Sequence, residues 1–389
     1  MSHPNEPSFH VETADIANFA DLVERQHDYA QRLLSINIEN IGPDPFGRGI
    51  QFQSAVNAFL LEIGPHKTRA YDDSLKIVST LDKDASSLRD AVNFYTGPDK
   101  DSAKRLDKNY MVPPVYTPDQ TGTPIYHRPL KEDDVKFKPG APSFADVTSQ
   151  VPIKPPKEAT GEQLDGRLRD IDSTAEKAGM VAQKLSVNYW VREILKAICG
   201  TDVIADLAEF SSGDWGAYGQ LAGTFELYSK VFWGVVDNMK HAMYIMQSSW
   251  QGNAADQMQV HMEALVTRGT ANHADFLHQA AERMWHFAKS LYHTFTVIDD
   301  FVGFAIDLIA GEIFKLGGQI GKAFEKVLDV LLKADGGMIL TKWNEVVTAV
   351  GEAKTALHAF ASFYEAFQSL APVPDRVPLP GNYDHPEES

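Results

Sequence analysis

Cysteine is nearly absent from this chain of 389 residues, which contains only Cys199. A single cysteine excludes an internal disulfide framework and a cysteine-based zinc site. The apolar residues before it favour a buried, unreactive thiol over a nucleophile. The fold must therefore be held together by noncovalent packing.

Positive charge is also in short supply. The 36 Lys and Arg residues stand against 53 Asp and Glu residues, which gives a net charge of −17. The basic residues are scattered rather than clustered, so the chain would repel a polyanion, and nucleic acid is not expected as a partner. The hydrophobic share of 43% is typical of a globular protein and not of a disordered or fibrous one.

Long apolar runs and targeting segments are missing as well. The most apolar stretch, Phe301 to Phe314, contains Asp307 and Glu312, whereas a membrane-spanning helix needs about 20 nearly uncharged residues. We interpret the stretch as a buried helix. The alternative is that residues 301–332 insert into a membrane, or oligomerise, after a conformational change. The N-terminus has no basic and apolar regions in tandem, so no cleavable signal peptide is predicted.

Catalytic motifs are absent too. The sequence has no H-E-x-x-H, P-loop, G-x-S-x-G or dinucleotide-binding glycine motif, so we predict neither an enzyme nor a cofactor or metal site. Asp299 and Asp300 predict a helix boundary rather than an acid–base pair. Some histidines lie on one predicted helix but are spaced too widely for a metal site, and we interpret them as solvated or interface residues: His273, His278, His286 and His293.

Helical periodicity is what the sequence has in abundance, whereas strand-like alternation is nearly absent. Gly64 and Pro65 are expected to kink or interrupt the second helical pattern. The predicted fold class is all-α, with long antiparallel helical hairpins that form an elongated bundle. The helical patterns cover about 15–40, 52–95, 161–197, 217–248, 258–298, 301–332 and 341–370.

Prolines divide the chain into predicted regions. Residues 1–100 form a helical hairpin, and residues 101–160 are a proline-rich linker. Residues 161–371 form a helical bundle domain, and residues 372–389 are an acidic, disordered tail.

The tripeptide W-Q-G lies at the break between two long amphipathic helices. Trp250 can bury its ring between the helix ends, Gly252 allows a turn conformation that other residues resist, and Asn253 can cap the outgoing helix. The string S-W-Q-G-N-A-A-D at 249–256 resembles the turn of the WXG (ESAT-like) family of type VII secretion substrates. The resemblance covers about residues 205–300.

A second motif, Y-x-x-x-D, lies at the end of the first hairpin. Tyr95 and Asp99 resemble the C-terminal signal of Esp-type and PE-type hairpins in the same secretion systems. Gly97 and Pro98 depart from that pattern because they disfavour helix within the motif. The segment from Tyr189 to Glu193 is another match, and the position before the linker favours Tyr95 and Asp99.

The order of these parts resembles the fused PE–PPE-like layout of Esp-type substrates. That resemblance implies that the hairpins pack side by side and bring the motifs together as a composite secretion signal, so Tyr95 and Asp99 are expected near Trp250. It also implies a non-enzymatic binding or structural protein, made in the cytoplasm and exported by a type VII (ESX) system to the medium or cell surface. The implied partners are the secretion ATPase or a chaperone, with a homo-oligomer or a helical partner as further possibilities. Membrane action through residues 301–332 is the alternative function.

Overall fold

The structure, a computed structural model, describes residues 10–42, 55–96, 215–315 and 340–352 and the isolated positions 105, 153, 154, 156, 157, 196, 197, 326, 329, 355 and 356. Of these described residues, 92% are helical. The predicted all-α class is therefore confirmed.

The N-terminal hairpin consists of helix α1 (Thr13–Leu34) and helix α2 (Ala55–Thr96), with a short 3-10 turn (Ile38–Asn40) after α1. The two helices pack along each other. Their facing stripes are apolar at intervals of three or four residues, which is the spacing that places side chains on one face of a helix. The buried members include Ile16, Phe19, Val23, Ala30 and Leu33 on α1 and Ile77, Leu81, Leu88 and Ala91 on α2.

Helix α2 is continuous through Gly64 and Pro65, so of the kink or interruption expected there, the interruption is wrong. A proline inside a helix costs about 3 kcal/mol. Burial of the apolar stripe beyond it, where Ile77 and Leu81 are almost fully buried, offsets that cost.

The second hairpin carries the W-x-G turn between two long helical arms. The incoming arm is helix α3 (Trp215–Ser249). The outgoing arm is continuous and consists of helix α4 (Asn253–Glu263), a π-helical segment (Ala264–Thr270) and helix α5 (Ala271–Lys315). Between the arms, strand β2 (Trp250–Gln251) pairs antiparallel with strand β1 (His10–Val11) from the N-terminus.

No helix boundary falls at Asp299 and Asp300, because α5 runs through both residues. The separate helix predicted to begin at residue 301 is therefore the continuation of α5. The physical reason is that the buried stripe keeps its phase across the two aspartates, with Ile298, Phe301 and Ala305 all buried. An aspartate in a helix interior costs only about 0.7 kcal/mol or less, which such burial exceeds.

The two hairpins lie side by side and share one hydrophobic core. Helix α1 packs on α3, and both α2 and α5 contribute buried residues to the same cluster. Polar contacts also cross the interface: the side-chain amide of Asn238 on α3 donates a hydrogen bond to Oε1 of Gln26 on α1 at 3.0 Å, and both residues are buried. Buried amides are costly unless they are paired, so this contact favours one alignment of the hairpins.

Parts of the sequence-based scheme lie outside the described residues. These are most of the proline-rich linker, most of the helix predicted over 161–197, most of residues 316–332, residues 357–370 and the acidic tail; Asp99, Cys199 and the Tyr189–Glu193 motif belong to the same group. Within the described part of the chain, no helix combines the length and the apolar character that crossing a membrane requires.

Candidate functional site

The W-x-G turn owes its shape to Gly252. Its φ of 138° and ψ of 178° lie in a region that is almost restricted to glycine. Gly252 occupies the N-cap position of α4, and its carbonyl accepts a hydrogen bond from the backbone N–H of Asp256 at 3.0 Å. The predicted cap, Asn253, is instead the first residue of the helix. Because Gly252 has no Cβ, the chain can reverse immediately after Trp250.

The end of α2 meets this turn through an aromatic contact. The rings of Tyr95 and Trp250 lie edge to face, with 6.0 Å between their centroids and an angle of 78° between their planes. Phe94 contacts Tyr95 in the same manner at 5.3 Å. The structure therefore brings together Tyr95 and Trp250, as the sequence layout predicts, whereas Asp99 lies outside the described residues. Such aromatic pairs contribute about 0.5–1.5 kcal/mol beyond the burial of their surface.

The N-terminus forms the remaining side of the turn. In the pairing of β1 with β2, His10 lies opposite Gln251 and Val11 lies opposite Trp250. The backbone N–H of Glu12 extends the ladder by donating to the carbonyl of Ser249 at 2.8 Å. Sequence reasoning missed this contact because a two-residue strand leaves no alternating pattern.

Residues 10–12, 94–95 and 249–252 thus converge at one end of the bundle, and we refer to them as the tip cluster. Trp250 is 2% exposed and Tyr95 is 8% exposed, so both rings are interior parts of it. The cavity beside the Trp250 ring has a volume of about 10 Å³ and is lined mainly by methionines and glutamines. A ligand pocket for a small molecule typically measures about 300–1,000 Å³, so the described tip cluster has no room for one beside Trp250.

The histidines identified in the sequence have different environments. His278, His286 and His293 are exposed, and His278 lies 3.5 Å from Glu282. His273 is buried where α2, α3 and α5 meet, and its ring contacts Phe232 at 5.1 Å. No group of metal-binding side chains occurs among the residues that the structure describes.

Two buried polar contacts link α2 to the outgoing arm. Nε2 of His261 on α4 lies 2.8 Å from Oδ2 of Asp84, and these side chains are 4% and 1% exposed. Nε2 of His273 on α5 lies 2.8 Å from the hydroxyl of Ser74. Sequence reasoning did not select His261, Asp84 or Ser74. The available signal was a polar residue within an otherwise apolar stripe, because Asp84 lies between Leu81 and Leu88 at helical spacing.

Burial determines the protonation state of His273. Desolvation, assisted by the positive charge of Arg69, lowers the pKa of His273 to about 3. The Ser74 hydroxyl donates to the carbonyl of Ala70 at 2.7 Å, which leaves its oxygen as an acceptor. His273 is therefore neutral near pH 7, with its proton on Nε2 directed at Ser74.

A further cleft lies away from the tip cluster, between α5 and the helical residues at 340–352, 355 and 356. Its volume is about 710 Å³. The lining residues are Arg283, His286, Ser290, Thr348, Gly351, Glu352, Thr355 and Ala356. Its only carboxylate is Glu352, and no hydrogen-bonded nucleophile and base pair is seen among these described side chains.

No protein-family model, curated protein or solved structure matches this chain. The resemblance to type VII secretion substrates therefore rests on the residues quoted above and on their arrangement.

Proposed function

We propose that this protein is a substrate of a type VII (ESX) secretion system and that it acts by binding rather than by catalysis. The observation that carries the proposal is the edge-to-face contact of Tyr95 with Trp250. The two residues come from motifs that are distant in the sequence. Their contact is the arrangement that a composite signal made of both motifs requires.

The burial of the Tyr95 and Trp250 rings indicates how a secretion ATPase or a chaperone would recognise the signal. Trp250 and Tyr95 are almost inaccessible, so they fix the shape of the tip cluster. The partner would contact exposed neighbours, which include His10 and Thr96. Interface energy is usually concentrated in a few well-placed side chains, so a fixed presentation matters more than the area of the patch.

Export from the native host tests the proposal directly. Cell and medium fractions are compared between the parent strain and a strain that lacks the type VII ATPase. We expect the protein in the medium of the parent strain and only in the cells of the deletion strain. Equal amounts in both media would exclude a type VII route.

A matched pair of variants tests the composite signal. Tyr95→Ala removes a ring from the tip cluster, whereas Tyr244→Ala removes an exposed tyrosine, 75% accessible, from α3. We expect Tyr95→Ala to remain in the cell and Tyr244→Ala to be exported. Thermal unfolding of both purified variants separates a lost signal from a lost fold, and Asp99→Ala tests the other half of the motif. Normal export of a folded Tyr95→Ala protein would contradict the composite signal.

One observation favours the second candidate function, membrane action through residues 301–332. Phe314, near the end of α5, is 86% exposed. Against it, Phe301 is fully buried and packs against Trp343 at 5.7 Å, so insertion would have to remove Phe301 from the core. Leakage of dye-loaded anionic vesicles, measured at pH 7 and pH 5 with Phe314→Ser as the control, decides between the two. We expect no leakage at either pH.

A further inference from the structure

We propose that the π-helical segment Ala264–Thr270 and the two buried histidine contacts that flank it set the register in which the N-terminal hairpin docks on the second hairpin. The register matters for export only if the function proposed above holds, because the register keeps Tyr95 against Trp250. The register itself is a property of the purified protein and is testable without secretion.

On the side of the π-helical segment that faces the W-x-G turn, two contacts fit one antiparallel register. The same number of residues separates them on α2 and on the opposite segment. Tyr95 lies eleven residues after Asp84, and Trp250 lies eleven residues before His261. The contact of His261 with Asp84 therefore aligns α2 with the outgoing arm so that Tyr95 reaches the turn.

The contact on the other side of the segment is out of that register. Ser74 lies ten residues before Asp84, but His273 lies twelve residues after His261. Ten α-helical residues span about 15 Å and twelve span about 18 Å. Two regular helices could not make both contacts without a shift of about 3 Å.

The π-helical segment reduces this mismatch in length and in direction. A π-helical turn closes its hydrogen bonds over five residues instead of four, so it takes up one extra residue. Twelve residues with one residue taken up in this way span about as much as eleven α-helical residues, about 16.5 Å. In a regular helix His273 would lie about 120° around the axis from His261. One extra residue in the π-helical segment removes about 100° of this rotation, so both imidazoles face α2.

The segment is stabilised by its own hydrogen bonds. The hydroxyl of Thr270 donates to the carbonyl of Leu265 at 2.9 Å, and the backbone N–H of Ala271 donates to the carbonyl of Val266. Both bonds reach back five residues, which is the π-helical interval. Leu265 and Val266 are buried, so the wide turn also belongs to the core.

Buried polar pairs are suited to specifying register. If α2 slipped by one helical turn, Asp84 and His261 would lose each other as hydrogen-bond partners, and breaking a buried pair of this kind is strongly unfavourable. An apolar stripe such as Ile77, Leu81 and Leu88 discriminates less, because one aliphatic side chain replaces another at small cost.

The experiment compares four proteins: the parent, Asp84→Leu, the double variant Asp84→Leu with His261→Leu, and the swap Asp84→His with His261→Asp. The readouts are thermal unfolding and amide hydrogen exchange of residues 10–12 and 249–251. We expect Asp84→Leu to lower the unfolding temperature. We expect the double variant to recover it but to exchange at the tip cluster about tenfold faster or more, because the core is stable while the register is no longer fixed. The swap should restore slow exchange, which a role in packing alone would not.

Parent-like exchange in the double variant would overturn the register proposal. Export assays of the same proteins keep the two proposals apart. If the double variant loses its slow exchange at the tip cluster and is still exported, the register proposal stands and the composite secretion signal is wrong.

The role of the π-helical segment is tested with two threonines on the outgoing arm. Thr270→Val removes the hydroxyl that bonds Leu265, whereas Thr294→Val removes a buried hydroxyl with an ordinary bond to the carbonyl of Ser290. The readout is the NMR signal of the His273 Nε2 proton. We expect its exchange with solvent to accelerate about tenfold or more in Thr270→Val and to stay unchanged in Thr294→Val. Unchanged exchange in both variants would show that the segment does not position His273.

Discussion

Tyr228 on α3 donates a hydrogen bond from its hydroxyl to the backbone carbonyl of Ile36, with 2.6 Å between the two oxygens. Ile36 follows the end of α1, so the contact attaches the N-terminal hairpin to the second one. Both residues are buried, and burial raises the pKa of Tyr228 far above its usual value.

We predict that Tyr228→Phe destabilises the protein by about 1–3 kcal/mol, because the carbonyl of Ile36 loses its partner in the interior. Since the folded state raises the pKa of Tyr228, the stability that it contributes is complete below about pH 10 and falls as the pH rises beyond it. The parent should therefore lose stability in alkali more steeply than Tyr228→Phe. Urea unfolding at pH 7 and pH 10.5 measures both effects, and the exposed Tyr244→Phe is the control. Equal alkaline losses in the parent and Tyr228→Phe would contradict the prediction.

Acid stability should depend on His273. Its pKa is lowered to about 3 by burial and by Arg69, whereas an unfolded histidine titrates near 6.5. Its contribution is thus complete above about pH 6.5 and is lost as the pH falls toward 3, at about 1.4 kcal/mol for each pH unit.

His273→Phe should remove this acid sensitivity. Unfolding by urea at pH 7.5 and pH 4.5 gives the difference, with the exposed His293→Phe as the matched control. The loss between the two pH values should be smaller in His273→Phe than in the parent, and equal in the control and the parent. An unchanged loss in His273→Phe would mean that other groups account for the acid sensitivity.

Gly252→Ala should strain the W-x-G turn. A residue with a Cβ is disfavoured at φ 138°, and such strain costs about 1–3 kcal/mol. Gly303→Ala is the opposite case, since Gly303 is inside α5 and, apart from its chain neighbours and the backbone of its own helix, no atom lies within 4 Å of where a Cβ would be. That change should stabilise the protein by about 0.5–1 kcal/mol. Thermal unfolding of both variants checks that Gly252→Ala lowers the stability and that Gly303→Ala raises it. A Gly252→Ala protein as stable as the parent would be inconsistent with the turn conformation.

Glu12→Pro should release the N-terminal strand from the tip cluster. Proline has no backbone N–H, so the hydrogen bond to the carbonyl of Ser249 is lost, whereas Glu12→Ala keeps it. We expect faster amide exchange at residues 249–251 in Glu12→Pro alone, with a loss of stability of about 0.5–1.5 kcal/mol. Equal exchange in the two variants would mean that the strand pairing does not protect the turn.

The sequence by itself determined the helices, because apolar residues at intervals of three or four suffice to define one buried face. It also located the W-x-G turn, where Gly252 allows a conformation that few residues adopt. It misplaced a boundary at Asp299 and Asp300, since a local polar signal was outweighed by burial of Ile298, Phe301 and Ala305 along α5. Local signals of this kind are weak, whereas burial acts over the whole length of a helix.

The proximity of Tyr95 to Trp250 was expected from the order of the motifs, but only the tertiary structure decided the contacts that align the helices. Asp84 reaches His261, and Ser74 reaches His273, through a register between helices that a one-dimensional pattern does not contain. The π-helical segment is equally hidden, because the same residues at regular α-helical spacing would also show an apolar stripe. Only in the folded structure is its wide turn seen to lie between two buried histidines that face the same helix.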